Sequence, residues 1–223
     1  MEFIEYPDAE MMMMNLANTL AGEVRQALSQ QETVSIAVPG GSTPGPVFDA
    51  LAAVDLDWAR VRVMLTDERW VPETSPRSNT RLLRARLLTG HARAATLVPL
   101  YLDAPTPEEC LAELAATITA ALPLRLVLLG MGEDMHTASL FPGADRLQEG
   151  LTGDAVILPM RASGVEEPRV TLTAQVLGGA LSRHIVITGA AKRAALERAR
   201  GLPAEQAPVA AILNGSIIHW AES

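Results

Sequence analysis

Short apolar runs, each ending in glycine or polar residues, constrain this chain more than any other feature. Thr33–Val38 (TVSIAV) stops at Pro39-Gly40-Gly41, and Val61–Thr66 (VRVMLT) stops at Asp67-Glu68-Arg69. Leu124–Gly130 (LRLVLLG) and His184–Gly189 (HIVITG) follow the same rule, and Ala155–Met160 and Ser216–Trp220 are weaker examples. Runs of this length without alternation suit strands buried on both faces. Helical patterns lie between them. Met12, Leu16, Leu20, Val24 and Leu28 recur every four residues after a start at Pro7-Asp8. Ser78–Leu88 and Ala190–Ala199 are further helices, the latter closed by Gly201 and Pro203. Thr106-Pro107-Glu108-Glu109 has the form of a capping box ahead of Leu111, Leu114, Ile118 and Leu122. Strands alternating with helices predict an α/β fold of three layers, α/β/α, around a mostly parallel sheet.

With 223 residues and no repeat or linker, a single domain over 1–223 is expected. A 48% apolar fraction can fill its core, and aromatics at 4% leave that work to Leu, Ala, Val and Met. The methionines at 11–14 therefore read as core filler more readily than as a binding patch. One cysteine, Cys110, rules out an internal disulfide, fits a reducing compartment, and inside an apolar helix is expected to be inert. A net charge of −8 disfavours nucleic acid and anionic membranes as partners, though not a small anion in a local pocket. No secretory leader and no run long enough to span a bilayer is visible, so a cytoplasmic protein is expected, as a monomer or weak homodimer.

Parallel sheets bind ligands beyond the carboxyl ends of their strands, so the residues just after each strand matter most. In Pro39–Gly45 (PGGSTPG), glycines allow close approach of backbone N–H groups to an anion, with Thr43 as N-cap and Pro44 opening the helix. The same pattern also serves as plain turn punctuation. Asp67-Glu68-Arg69 is either a surface salt bridge or a place where Arg69 grips a phosphate or carboxylate and Asp67 orients a hydroxyl. Lys192, in the first turn of a helix, opposes the helix dipole, which a bound anion would offset. Arg169 has a weaker claim of the same kind. For both, a solvated charge is the plain alternative.

Leu128–Gly143 (LLGMGEDMHTASLFPG) puts His136 just past a core strand, beside two carboxylates and two glycines. A packing histidine does not need that company; a general base would. His91, His184 and His219 read as structural or exposed. No His/Cys/Asp cluster has metal-ligand spacing, so no metal is expected.

Taken together, PGGSTP, LTDERWVP with RSNTRLL, GMGEDMHTASLFPG, EPRVTLT and TGAAKRAAL resemble the 6-phosphogluconolactonase family nearly end to end. The resemblance implies a fold shared with glucosamine-6-phosphate deaminases and ribose-5-phosphate isomerases. It also implies hydrolysis of 6-phospho-D-glucono-1,5-lactone to 6-phosphogluconate without a cofactor. On it, Gly40, Gly41, Ser42 and Thr43 would cradle the phosphate, with charge from Arg169 and Lys192. Arg69 would hold substrate, Asn79 would shape the loop over it, and His136 would be the base, positioned by Asp134. Amides of Gly130–Gly132 are candidates for the oxyanion site. One departure stands out: Met135 occupies a position where the family usually has glycine. A glycine there would serve a positive φ, which costs methionine about 1 kcal/mol, or would simply admit the ligand. A sugar-phosphate deaminase or isomerase is the nearest alternative, but the deaminases carry a glutamate soon after the histidine, and here no carboxylate follows before Asp145. A non-catalytic sugar-phosphate sensor is the other, without the DNA-binding segment such modules usually carry.

Overall fold

A computed structural model describes residues 1–223. The strands are β1 (Glu2–Glu5), β2 (Val34–Val38), β3 (Val61–Leu65), β4 (Asp67–Arg69), β5 (Thr96–Val98), β6 (Leu126–Leu129), β7 (Ile157–Met160), β8 (Arg169–Leu172), β9 (Ser182–Thr188) and β10 (Ile217–Ala221). The helices are α1 (Ala9–Leu28), α2 (Gly45–Ala52), α3 (Asn79–Arg86), α4 (Leu111–Ala121), α5 (Leu147–Thr152), α6 (Ala174–Gly178), α7 (Ala190–Ala199) and α8 (Ala210–Leu213). Seven strands form one sheet in the order β1-β10-β9-β6-β2-β3-β5, and every pairing in it is parallel. The expected mostly parallel α/β architecture is what the chain adopts.

From β2 the chain moves outward through β3 to β5, then returns to place β6 on the other side of β2 and continues to β9 and β10. Crossovers between parallel strands are right-handed, so the two directions of travel put helices on opposite faces and make three layers. The reversal leaves a crevice between the carboxyl ends of β2 and β6. Residues Pro39–Thr43 and Gly130–His136 emerge there. No helix is long and apolar enough to cross a membrane.

A second, antiparallel sheet, β4-β8-β7, carries two of the candidate site arginines. Asp67-Glu68-Arg69, read from sequence as the residues where a strand stops, is itself a strand. Thr66 is the pivot between sheets. Its N–H donates to the Val38 carbonyl (2.9 Å), while its own carbonyl accepts from the Leu172 N–H (2.9 Å). A three-residue polar strand has no hydrophobic pattern to announce it, and β1, β5 and β8 escaped notice for related reasons.

α1 starts as its sequence predicts, with the Asp8 carboxylate accepting from the Met11 N–H at 2.7 Å. It buries Met12, Leu16, Leu20, Val24 and Leu28, and leaves Met11 and Met14 exposed. Two capping expectations need correction. Thr43 does not cap α2. The turn runs on to Pro44 before the helix begins at Gly45, and no side chain caps it. Thr106 opens a 3-10 turn over Pro107–Cys110 rather than α4. Its hydroxyl donates to the Glu109 carboxylate (3.0 Å) instead of accepting from a helix amide. α4 ends at Ala121, and Leu122, expected on its apolar face, turns extended ahead of Pro123, as residues before proline tend to do.

Candidate active site

A cavity of about 340 Å³ opens at the reversal point of the sheet. Gly40, Gly41, Thr43, Asp67, Arg69, Asn79, His136, Arg169 and Lys192 all line it. Residues far apart in the chain are thus brought to one place. Two of the candidates stand outside the lining: Ser42, which is exposed, and Asp134, which touches His136 from behind.

The glycine turn supplies donors. The N–H groups of Gly40, Gly41, Ser42 and Thr43 find no acceptor within the protein, and Gly41 has φ +86°. Consecutive free amides of this kind form an anion-binding concavity. Gly40 must remain glycine because a Cβ there would lie inside the Asn79 side chain. Asn79 belongs to no covering loop, contrary to expectation. It is the buried first residue of α3, and its Nδ2 donates to the Asp67 carbonyl at 3.1 Å. Across the crevice, Gly189 (φ +85°) leads into α7 with no side-chain cap, and Lys192 follows in the first turn facing the cavity.

β4 and β8 contribute guanidinium groups. Arg69 and Arg169 are directly paired across the antiparallel ladder, an arrangement in which like charges repel. Each buries an Nε with no hydrogen-bond partner. Arg69 Nη1 donates to the Arg77 carbonyl at 2.5 Å. Arg169 has only a distant ion pair to Asp67, 3.9 Å away. Burial, and next the charge of Arg69, lower the Arg169 pKa from its ordinary value, although a guanidinium remains protonated throughout. An anion between the two would relieve the repulsion and use the idle donors. Asp67 is held firmly: its carboxylate accepts from Ser139 Oγ (2.6 Å) and Thr66 Oγ1 (3.2 Å).

Glu68, between them, was not singled out from sequence. It is fully buried and points away from the cavity into the start of α3. Its carboxylate accepts from the N–H groups of Arg69, Asn79 and Thr80 and from the hydroxyls of Thr80 and Ser78. Burial raises its pKa, and those hydrogen bonds offset the rise only in part.

The remaining wall is the loop after β6. Gly132 and His136 close on each other through a Gly132 N–H to His136 carbonyl bond of 3.0 Å. The Gly132 amide is therefore spent, which removes it from the expected oxyanion donors at Gly130–Gly132. Met135 has φ +67°, a left-handed conformation that strains a side chain and that glycine adopts freely. Its carbonyl accepts from the Val209 N–H at 3.1 Å, one contact that holds the strained turn. His136 Nδ1 lies 2.5 Å from Asp134 Oδ1. A carboxylate can only accept, so Nδ1 carries a hydrogen, and in the neutral tautomer this selects, the lone pair lies on Nε2. The imidazole is 32% exposed and rests against Phe141, with ring centroids 4.7 Å apart. Phe141 also underlies the Arg169 guanidinium at 5.9 Å. Nothing in an SLFPG string singles out that phenylalanine, which comes to lie between nearby His136 and distant Arg169 only in the folded chain.

The other reactive side chains lie elsewhere. His91 is exposed. His184 and His219 are buried together, with Nδ1 of the first 3.0 Å from Nε2 of the second. Burial, with help from Glu113 and Glu109, pushes the Cys110 thiol up, opposite to what a nucleophile needs. No three His, Cys, Asp or Glu side chains converge as metal ligands would.

Fold and site together define an α/β protein with a cationic, glycine-edged cavity at the reversal point of a parallel sheet and an oriented histidine in its wall. The family model for glucosamine-6-phosphate isomerases/6-phosphogluconolactonase matches residues 7–220, and the chain belongs to that family. It is 42% identical to the 6-phosphogluconolactonase of Mesorhizobium japonicum, over 95% of this chain and 90% of that one. The crystal structure of a 6-phosphogluconolactonase from Shewanella baltica superposes with a TM-score of 0.96 at 27% identity, covering 99% of this chain and 97% of the other. A monomeric glucosamine-6-phosphate deaminase superposes with a TM-score of 0.80 at 14% identity, over 99% and 97% of the two chains. That last likeness is one of fold alone.

Proposed function

We propose that this chain hydrolyses 6-phospho-D-glucono-1,5-lactone to 6-phospho-D-gluconate, the lactone-opening step of the oxidative pentose phosphate pathway, with His136 as general base. One observation carries the reading. An imidazole with a free Nε2 shares a cavity with three cationic side chains, beside a turn of unspent amides. A δ-lactone is an activated ester, so water needs only one base and one site for negative charge. His136 Nε2 takes a proton from water as its oxygen bonds to the lactone carbonyl carbon. The imidazolium formed, steadied by Asp134, returns that proton to the ring oxygen as the acyl–oxygen bond breaks. The Gly40–Thr43 amides, Lys192 and Arg169 suit the phosphate, and Arg69 suits the polar end of the substrate. On this reading the enzyme works without a cofactor, in the cytoplasm, on a free small molecule, as a monomer or weak homodimer.

A deaminase reaction would need a further acid or base after the histidine. Thr137 instead donates its hydroxyl to the Gly130 carbonyl (2.9 Å), and Ser139 is committed to Asp67. Asp145 accepts from the N–H groups of Arg146 (2.9 Å) and Arg161 (2.8 Å), away from the cavity lining. A sensor would have no use for an oriented base.

The test generates the lactone in situ with glucose-6-phosphate dehydrogenase and follows 6-phosphogluconate with its own dehydrogenase, subtracting spontaneous hydrolysis. The wild-type chain should accelerate hydrolysis. His136→Ala should lose at least about a hundredfold in kcat, within the usual worth of a general base. Lys192→Ala should act mainly on KM. A folded His136→Ala protein working at the normal rate would remove the histidine from the mechanism.

A further inference from the structure

We propose that Glu68 is a positioning residue for substrate binding, joining the backbone that carries Arg69 to the backbone that carries Asn79; this deepens the lactonase reading and rests on it. Glu68 is a carboxylate with no exposed surface and no ion pair. Removing such a charge from water is costly, and an apolar side chain at the same place would avoid the cost. What the carboxylate does instead is specific. One oxygen accepts from the Arg69 N–H at 2.7 Å and the Asn79 N–H at 2.8 Å, so two cavity residues ten positions apart hang on a single atom. The other accepts from the Thr80 N–H (2.7 Å) and Thr80 Oγ1 (2.7 Å), with Ser78 Oγ at 3.3 Å. The Asn79 and Thr80 N–H groups among them are orphan amides of the first turn of α3, where a negative charge is favoured.

The consequences reach three walls of the cavity. Arg69 faces Arg169 against electrostatic repulsion, so its backbone must be pinned if the pair is to stay converged on a ligand. Asn79 bonds the Asp67 carbonyl and fills the space beside Gly40 so closely that no Cβ fits between them. Moving the start of α3 therefore shifts the anion-binding turn as well. Glu68 never touches the ligand. It sets where the ligand's contacts stand.

The test compares Glu68→Gln with the milder Thr80→Val, which removes one hydroxyl bond to Glu68 from outside the cavity. Both are measured in the full chain at a temperature where melting curves show them folded. Glu68→Gln should raise KM about tenfold with kcat changed far less, the mark of lost ground-state binding, and Thr80→Val about threefold. In an Arg69→Met background, Glu68→Gln should add less than it does alone, because part of its effect passes through Arg69. Ile118→Ala, a buried change in α4 remote from the cavity, should lower the melting temperature and leave KM alone. Unchanged KM in folded Glu68→Gln and Thr80→Val overturns the proposal, as do effects of Glu68→Gln and Arg69→Met that simply add. If Glu68→Gln does not fold, Thr80→Val decides. Failure of the wild-type chain to hydrolyse the lactone would overturn the functional reading instead. The Glu68 proposal would then be decided by the dissociation constant for inorganic phosphate across the same variants.

Discussion

Replacing Gly132 with alanine separates the geometry of the base from the stability of the fold. A Cβ built on Gly132 falls inside the His136 ring at Nδ1 and against Asp134 Oδ1. Restoring ordinary contact requires the ring to retreat by about 1 Å, since carbon and nitrogen do not settle much closer than ~3.5 Å. The retreat cannot leave the 2.5 Å Nδ1–Asp134 hydrogen bond intact, because both partners are displaced by the same methyl group. A base misplaced by about 1 Å costs on the order of a hundredfold in rate, or about 2.7 kcal/mol of barrier. The cost to folding is much smaller. The clashing atoms are the ends of side chains, 32% exposed for His136 and 54% for Asp134, which can swing towards water. A glycine outside the positive-φ region also gains about 0.4–1 kcal/mol on substitution through the unfolded chain. The two effects oppose, so the melting temperature should move by no more than about 3 °C. The coupled assay and a melting curve on one preparation measure both quantities. A Gly132→Ala protein with a near-normal kcat would show that the His136–Asp134 geometry described here is not what the reaction uses.

Three further outcomes are expected. Gly40→Ala pushes Asn79 off the Asp67 carbonyl and should raise KM roughly tenfold with a lesser effect on kcat; the same assay reports it. Gly22→Ala, in mid-α1 with open space for the methyl, should stabilise the protein by about 0.5–1 kcal/mol in denaturant titration and leave KM and kcat unchanged. His219 is held down to about 4, first by burial and then by His184. The unfolded chain takes up this proton near pH 6.5 and the folded chain does not, so stability falls as pH drops from about 6.5 and levels off below about 4. The full span corresponds to about 3 kcal/mol. Denaturant unfolding of wild type and His219→Gln between pH 7 and pH 4.5 should show the acid-side slope flattened in the variant; equal slopes would contradict the assignment.

Local signals were enough to find much of this molecule. The four-residue spacing of Met12 through Leu28 specified α1 and its buried face, because a helix repeats on that period whatever surrounds it. Gly-Gly after a buried run, or His136 after Gly130 and Gly132, marks a strand end with unusual chemistry, and such marks are legible without coordinates. At Met135 the sequence left open a positive φ or room for a ligand, and the backbone has φ +67°. Errors gathered where structure depends on partners distant in sequence. β4 is only Asp-Glu-Arg and exists because β8 lies beside it. Thr43 and Thr106 had the right side chains for caps, but the turn at Thr43 runs on to Pro44 before α2 begins, and the Thr106 hydroxyl donates to Glu109 instead.

The chain's own order of apolar runs and glycines determined a parallel α/β sheet, its polar strand ends and the placing of His136 just beyond one of them. Those features follow from periodicity and local conformation, which act over a few residues. Only the folded arrangement decided that Arg69 stands opposite Arg169, that Gly40 and Asn79 exclude any atom between them, and that buried Glu68 ties Arg69 to α3. These contacts come from strand register and close packing between segments far apart in the chain, and no local pattern records which distant group will be the neighbour.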